Sequence, residues 1–282
     1  MSLRKIKSKN AGLLLLFIIF IVSFAIAVLC ASLNKSAEDT PSIITKEEET
    51  TQLKIETLAD AQKFVYDYAQ KNDINYNEYP QSLIELLAKN DETMDFVLSY
   101  PAEHNEKHKV DLSEYKKTQG VPLFMQWDKR WGYIEYGSDV AGLTACGPTC
   151  LSMCAYYFTR SDDMSPDKMI AFSKKNGYCI KGSGSSWSLI SEGGKKLGLD
   201  VVEIPLVEKR MADNLNAGNL IICIMGPGDF TNKGHYIVLT GYKDGKFSVN
   251  DPNSYKNSEK LWTFDEIKGQ IRNLWVIREK RS

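Results

Sequence analysis

Beyond residue 120 the apolar pattern changes period once, and that change limits the folds open to the chain. Before about residue 216 the punctuation is that of helices. Ser165-Pro166 supplies an N-cap followed by proline at the first helical position, with Gly177 beyond the end. Residues 186–196 before Gly198, and 207–216 before Gly218, suit two more helices. Short apolar runs then follow at 220–225, 235–242, 246–250 and 273–278, with Lys243-Asp244-Gly245 as a hairpin turn between the middle pair. Helices first and hairpin-linked strands second predict an α+β domain over 120–282, not alternating βαβ units.

The other end of the chain has a different character. Arg4, Lys5, Lys7 and Lys9 precede a run from Asn10 to Asn34 without a charge. A spanning helix needs roughly 20 apolar residues, so residues 11–33 are expected to form a transmembrane anchor. The basic residues 1–10 would stay in the cytoplasm and the rest would lie outside. A cleaved signal peptide is the alternative, since Ala25-Ile26-Ala27 has the small-x-small form, although Val28-Leu29-Cys30 prolongs the apolar run. Residues 34–55 are polar and read as a stalk. Within a lead-in segment, 56–119, helical spacing reappears at Leu58, Ala61, Val65 and Tyr68, then at Leu83, Leu86, Leu87, Phe96 and Val97. Two or three helices are expected there, broken at 72–80 and ended by Pro101.

Lys and Arg total 35 against 36 acidic residues. With no basic surplus to displace counterions, nucleic acid is not an expected partner. Metal is not expected either. Structural zinc sites usually draw paired CxxC ligands, and the chain has no CxxC. His104-Asn105-Glu106-Lys107-His108 imitates HExxH, but its glutamate falls one position late. No cofactor is called for.

The stretch TACGPTCLSMCAYYF spaces Cys146, Cys150 and Cys154 four apart, on one face of a helix. Pro148 marks a first helical turn, so Cys146 would sit where unpaired N–H groups and the helix dipole favour a thiolate. Cys150 and Cys154, further in, suit a core. A base is needed, and of three histidines only His235 opens an apolar strand, HYIVLTGY. Alone it would more often be structural; beside a poised cysteine it becomes the candidate base. Asp251, in VNDPNS, ends the next strand, and the hairpin brings it back toward residue 235 to orient the imidazole. Gln126, in VPLFMQWDKRW, is an amide that could face an oxyanion, or simply a surface glutamine.

Together QWDKRWGY, ACGPTCLSM, GHYIVLTGY and NDPNS resemble the papain-like cysteine peptidases related to the bacteriocin-processing, double-glycine peptidases, in a stand-alone, membrane-anchored bacterial branch. The resemblance covers about residues 120–278 and implies a papain-like fold. It implies Cys146 as nucleophile, His235 as general base and acid, Asp251 as orienting residue and Gln126 as oxyanion donor. In the transporter-linked relatives the glutamine stands only a few residues before the cysteine, whereas twenty positions separate Gln126 from Cys146 here. The expected activity is hydrolysis of peptide or protein substrates on the outer face of a bacterial cytoplasmic membrane. Two alternatives remain open: an amidase or transpeptidase acting on cell-wall peptide, and a non-catalytic module holding peptide on a Trp127–Trp131 surface.

Overall fold

The computed structural model describes residues 55–280. The tail expected at 1–10, the anchor at 11–33 and the stalk, apart from residue 55, lie outside the described residues. Among the described residues no helix is long and apolar enough to cross a membrane.

Three helices open the described region. α1 (Leu58–Lys71) begins with a capping box, in which Thr57 accepts from the Asp60 N–H and Asp60 reaches back to the Thr57 N–H. α2 (Gln81–Lys89) and α3 (Met94–Glu103) follow. Pro101 was expected to end the last of these and lies inside it instead. A proline forfeits a single N–H bond, and the His104 N–H to Tyr100 carbonyl bond still closes the final turn. The three helices bury Val65, Leu83, Leu87 and Phe96 together with Tyr133, so they share a core with the segment that follows. Phe96 is the link. Its ring stacks on Tyr133 at 4.5 Å, and a Cβ at Gly142 would meet it at 2.5 Å.

Among the described residues, six strands make one antiparallel sheet: β1 (Leu199–Glu203), β2 (Leu220–Met225), β3 (His235–Lys243), β4 (Lys246–Asn250), β5 (Leu261–Thr263) and β6 (Ile271–Glu279). Their order is β1-β6-β2-β3-β4-β5. Alternation assigns the faces. Ile222, Ile224, Tyr236, Val238, Trp275 and Ile277 face α4 (Cys146–Thr159) and α5 (Pro166–Lys175). Ile221, Cys223, Ile237, Leu239 and Val276 face the other way, toward α6 (Glu208–Asn216). Because both faces are covered, β2 is buried at every residue and reads as one apolar run. The turn after β3 holds Asp244 and Gly245 at φ of 51° and 76°, the left-handed pair that a two-residue hairpin requires.

The α+β architecture expected from the sequence is present. Two strands of this sheet escaped that reading, β1 and β5, both at sheet edges and only 5 and 3 residues long. The helix expected at 186–196 is a wide π turn, Leu189–Gly193, running into Gly194–Lys196. Gly194 there lies so close to the sheet that a Cβ would meet Val201 Cγ2 at 2.7 Å. Phe96→Ala should lower unfolding free energy by about 3–5 kcal/mol, as truncation of a buried aromatic does, measured by urea unfolding. A loss below 1 kcal/mol would show that the lead-in helices do not brace the domain.

Candidate active site

Helix α4 sits with its first residue, Cys146, at the edge of the sheet where β3 begins, and Cys150 and Cys154 are fully buried behind it. Gly147, the residue after Cys146, is required by packing. A Cβ at Gly147 would meet Ser185 Oγ at 2.8 Å. Ser185 is itself held by the Tyr136 hydroxyl at 2.7 Å. No metal-binding group of three or more ligating side chains exists among the described residues, and their five cysteines are all free thiols.

His235 opens β3 opposite Met225 of β2, and its ring lines the same cavity as the Cys146 thiol, close enough for each to shift the other's proton affinity. The other side of the ring meets Asp251: Nε2 lies 2.7 Å from Asp251 Oδ1. With Nε2 engaged there, Nδ1 is the nitrogen left for sulfur. Asp251 is 1% exposed and held from several directions. Its Oδ1 also accepts the Asn253 N–H at 2.8 Å, its Oδ2 accepts Asn257 Nδ2 at 2.8 Å, and its own N–H donates to Ser258 Oγ at 2.9 Å. Asn257 and Ser258 went unnoticed in the sequence. Nothing in local spacing ties them to residue 251 until the short helix Tyr255–Glu259 folds back on it.

The lead-in helices hold this loop from outside. Asn90 Nδ2 donates to the Asn253 carbonyl at 2.6 Å, and the Glu92 carboxylate accepts the N–H groups of Tyr255 and Lys256. Trp127 Nε1 also donates to the Asn253 carbonyl, at 3.1 Å. A peptide-holding surface of Trp127 and Trp131 is therefore not what forms. Trp131 is 1% exposed, with Nε1 bonded to the Met125 carbonyl, so the spacing of the two indoles reflects core packing.

Gln126 is buried, not on the surface. Its backbone N–H donates to the Pro252 carbonyl at 2.7 Å and its Nε2 to the Gly142 carbonyl at 2.7 Å, so it bridges the Asp251 loop and the approach to Cys146. Its Oε1 has no partner among the described residues, and the residue does not line the groove.

That groove is a cavity of about 620 Å³. Cys146, Thr144 and Leu143 line its helical side, together with the glycine-rich turn 182–185. Its sheet side is formed by Met225, Gly226, Pro227, Gly234 and His235. Trp187, 49% exposed, stands at the groove with its ring edge-on to Trp275 at 5.9 Å.

Charge is distributed unevenly across the thiol and the ring. Burial acts to raise the Cys146 thiol, but the hydrogen bond and charge of His235, with the N–H groups of Tyr236 and Gly147, bring it below the usual thiol value. Burial acts to lower His235, and the Asp251 charge and hydrogen bond, with the sulfur, raise it above an ordinary imidazole. Both shifts favour thiolate and imidazolium over the neutral pair. Cys150 lies next along the helix and is pushed the other way, mainly by burial, so it stays a thiol.

Residues 118–282 match the family model described as the Peptidase_C39 like family, more than half of the chain. The chain belongs to that family and is a cysteine peptidase. Among solved structures, the peptidase domain of Streptococcus ComA, a bi-functional ABC transporter involved in a quorum-sensing pathway, is 19% identical with a TM-score of 0.39. That match covers 56% of this chain and 98% of that one. A putative C39-like peptidase from Bacillus anthracis is 15% identical with a TM-score of 0.36, covering 58% and 96% respectively. No curated protein matches the chain.

The opposed shifts set a pH window. As pH falls, alkylation of Cys146 by iodoacetamide should persist below the ordinary thiol midpoint of about 8.5 and fail only where the lowered thiol takes up its proton. His235→Ala removes the two largest lowering influences and leaves burial opposed only by the N–H groups of Tyr236 and Gly147. Its labelling midpoint should then rise above that of the wild type. Identical profiles in the two proteins would separate the thiol from the ring. Cys150→Ala and Cys154→Ala should keep the wild-type profile while costing on the order of 1 kcal/mol of stability.

Proposed function

We propose that this peptidase cleaves peptide bonds through Cys146, His235 and Asp251, from a domain held outside a bacterial cytoplasmic membrane. The observation that carries the catalytic part is the His235 ring, held 2.7 Å from Asp251 Oδ1, lining one cavity with the Cys146 thiol at the head of α4. The thiolate attacks the scissile carbonyl carbon, and the carbonyl electron pair moves to oxygen. The imidazolium then gives its Nδ1 proton to the departing amine as the C–N bond breaks, leaving a thioester on Cys146. A water next loses its proton to Nδ1 and attacks the thioester. Collapse expels the thiolate and restores the ion pair.

Asp251 accepts the Nε2–H throughout, which keeps Nδ1 toward sulfur and stabilises the imidazolium. For the oxyanion, the Cys146 N–H makes no backbone hydrogen bond among the described residues, and the Gly142 carbonyl four residues behind it accepts from Gln126 Nε2 instead. Gln126 Nε2 is the second proposed donor. It carries two hydrogens, and the Gly142 carbonyl takes one of them.

Incubation with a peptide library, read by mass spectrometry, tests the activity. Cys146→Ala should abolish cleavage, and His235→Ala should come close to it. Asp251→Asn should leave a slow enzyme. An asparagine Oδ1 still accepts from the ring, and Asn257 can turn its amide oxygen toward the new donor. Gln126→Ala should lose roughly a hundredfold in turnover while iodoacetamide labelling survives. Full activity in Cys146→Ala would remove the thiol from the mechanism.

The location rests on the sequence of residues 1–34, the basic cluster followed by an uncharged apolar run. External protease applied to intact cells should release the domain. Protection until lysis would reverse the topology, and free protein in the medium would favour cleavage of the leader.

A further inference from the structure

The groove is electrostatically one-sided. Arg272 and Lys233 line its sheet side next to Gly226 and Gly234, and no Asp or Glu is among its lining residues. Both cations are exposed, and neither forms an ion pair among the described residues. Arg272 is also seated rather than loose. Its Nη1 donates to the Gly269 carbonyl at 2.9 Å, and its guanidinium lies so flat on Gly226 that a Cβ there would meet Nε at 2.3 Å. Only glycine at 226 permits that seat. Asp229, the acid on the same loop, is turned away and tied to Gln270 Nε2 at 2.6 Å.

Two unpaired cations on one wall of a concave site attract an anion more strongly than on open surface, because low-dielectric walls focus the field. With Nη1 committed to Gly269, the remaining guanidinium N–H groups suit the planar fork of a carboxylate, and the lysine suits a point charge beside it. We propose that Arg272 and Lys233 form a carboxylate subsite, so that the preferred substrates are peptides presenting a carboxylate close to the scissile bond. Trp187 supplies an apolar surface at the same groove. The proposal rests on reading the groove as the peptide-binding site. It assigns what the groove selects, whereas Cys146 and His235 assign what it does.

The test uses two readouts, one of which needs no turnover. The first compares alkylation of Cys146 by iodoacetate and iodoacetamide, reagents alike except for the carboxylate. Their rate ratio should fall about tenfold in the double variant Lys233→Gln, Arg272→Gln, and fall in part both in Gly226→Ala, which displaces the guanidinium without changing charge, and in Arg272→Lys, which keeps the charge and loses the fork. High salt should narrow the wild-type ratio. The second compares kcat/KM for library peptides differing only as Glu against Gln at each position, with free or amidated C-termini. A Glu preference of about tenfold or more in amidated peptides assigns the subsite to a side-chain carboxylate. A preference confined to free C-termini assigns it to the terminal one. Equal ratios in wild type and the double variant would overturn the subsite, whatever the peptides show. If the iodoacetate ratio responds as expected and no peptide is cut, the subsite stands and the peptidase reading of the triad fails.

Discussion

Helix α4 lies against β3, and the rest of the site depends on that contact. Ten consecutive residues of the helix, Gly147–Tyr156, are buried, so it has almost no freedom to slide or rotate against the sheet. Its first residue therefore ends at a fixed height beside the first residue of β3, and thiol meets imidazole. Cys150 and Cys154 contribute as small apolar volumes that let the helix approach closely. They share the sulfur chemistry of Cys146 and none of its environment, because burial without a partner raises a thiol while a neighbouring imidazolium lowers it.

The carboxylate arm is built differently. Cys146 and His235 are placed by regular elements, but Asp251 stands just past the end of β4, where the ladder no longer holds the chain. Its position is over-determined instead by hydrogen bonds from Asn253, Asn257 and Ser258, and the loop is gripped from outside by Asn90, Glu92 and Trp127. Two of these gripping residues, Asn90 and Glu92, precede residue 118, where the family match begins. The helical lead-in thus bears on the loop that carries Asp251. Phe96, wedged beneath Gly132 and Gly142, ties it to the segment leading to Cys146.

Gln126 shows how one buried amide can join two arms. It meets the Asp251 loop through its backbone and the Cys146 approach through its side chain, crossing what would otherwise be a seam between them. An unsatisfied buried carbonyl oxygen on the same side chain carries a desolvation cost of roughly 1–3 kcal/mol. Bridging and donating toward an oxyanion are compatible roles for an amide nitrogen with two hydrogens. The groove between the arms is lined by glycines from both sides, Gly182 and Gly184 by the helix and Gly226 and Gly234 by the sheet, while both of its free cations, Lys233 and Arg272, belong to the sheet side.

Much of this was legible in the residues. Period, caps and the Asp244-Gly245 turn identify the central strands and most of the labelled helices, because burial on a regular element imprints a repeat on the sequence. The cysteine at the helix head, the histidine at the strand mouth and the aspartate one hairpin later are likewise visible, since regular elements carry them or bring them together. What the sequence could not decide involves contacts between residues far apart in the chain. The short edge strands β1 and β5 carry too few residues for a period to emerge. Trp127 and Trp131 look like a pair on paper, yet one is core and the other a clasp on residue 253. The burial of Gln126, the grip of Asn257 and Ser258 on Asp251, and the meeting of Lys233 with Arg272 in one groove arise only once the sheet order β6-β2-β3 is set. Strand order is a property of tertiary packing, because hydrogen-bonded neighbours across a sheet owe nothing to adjacency along the chain.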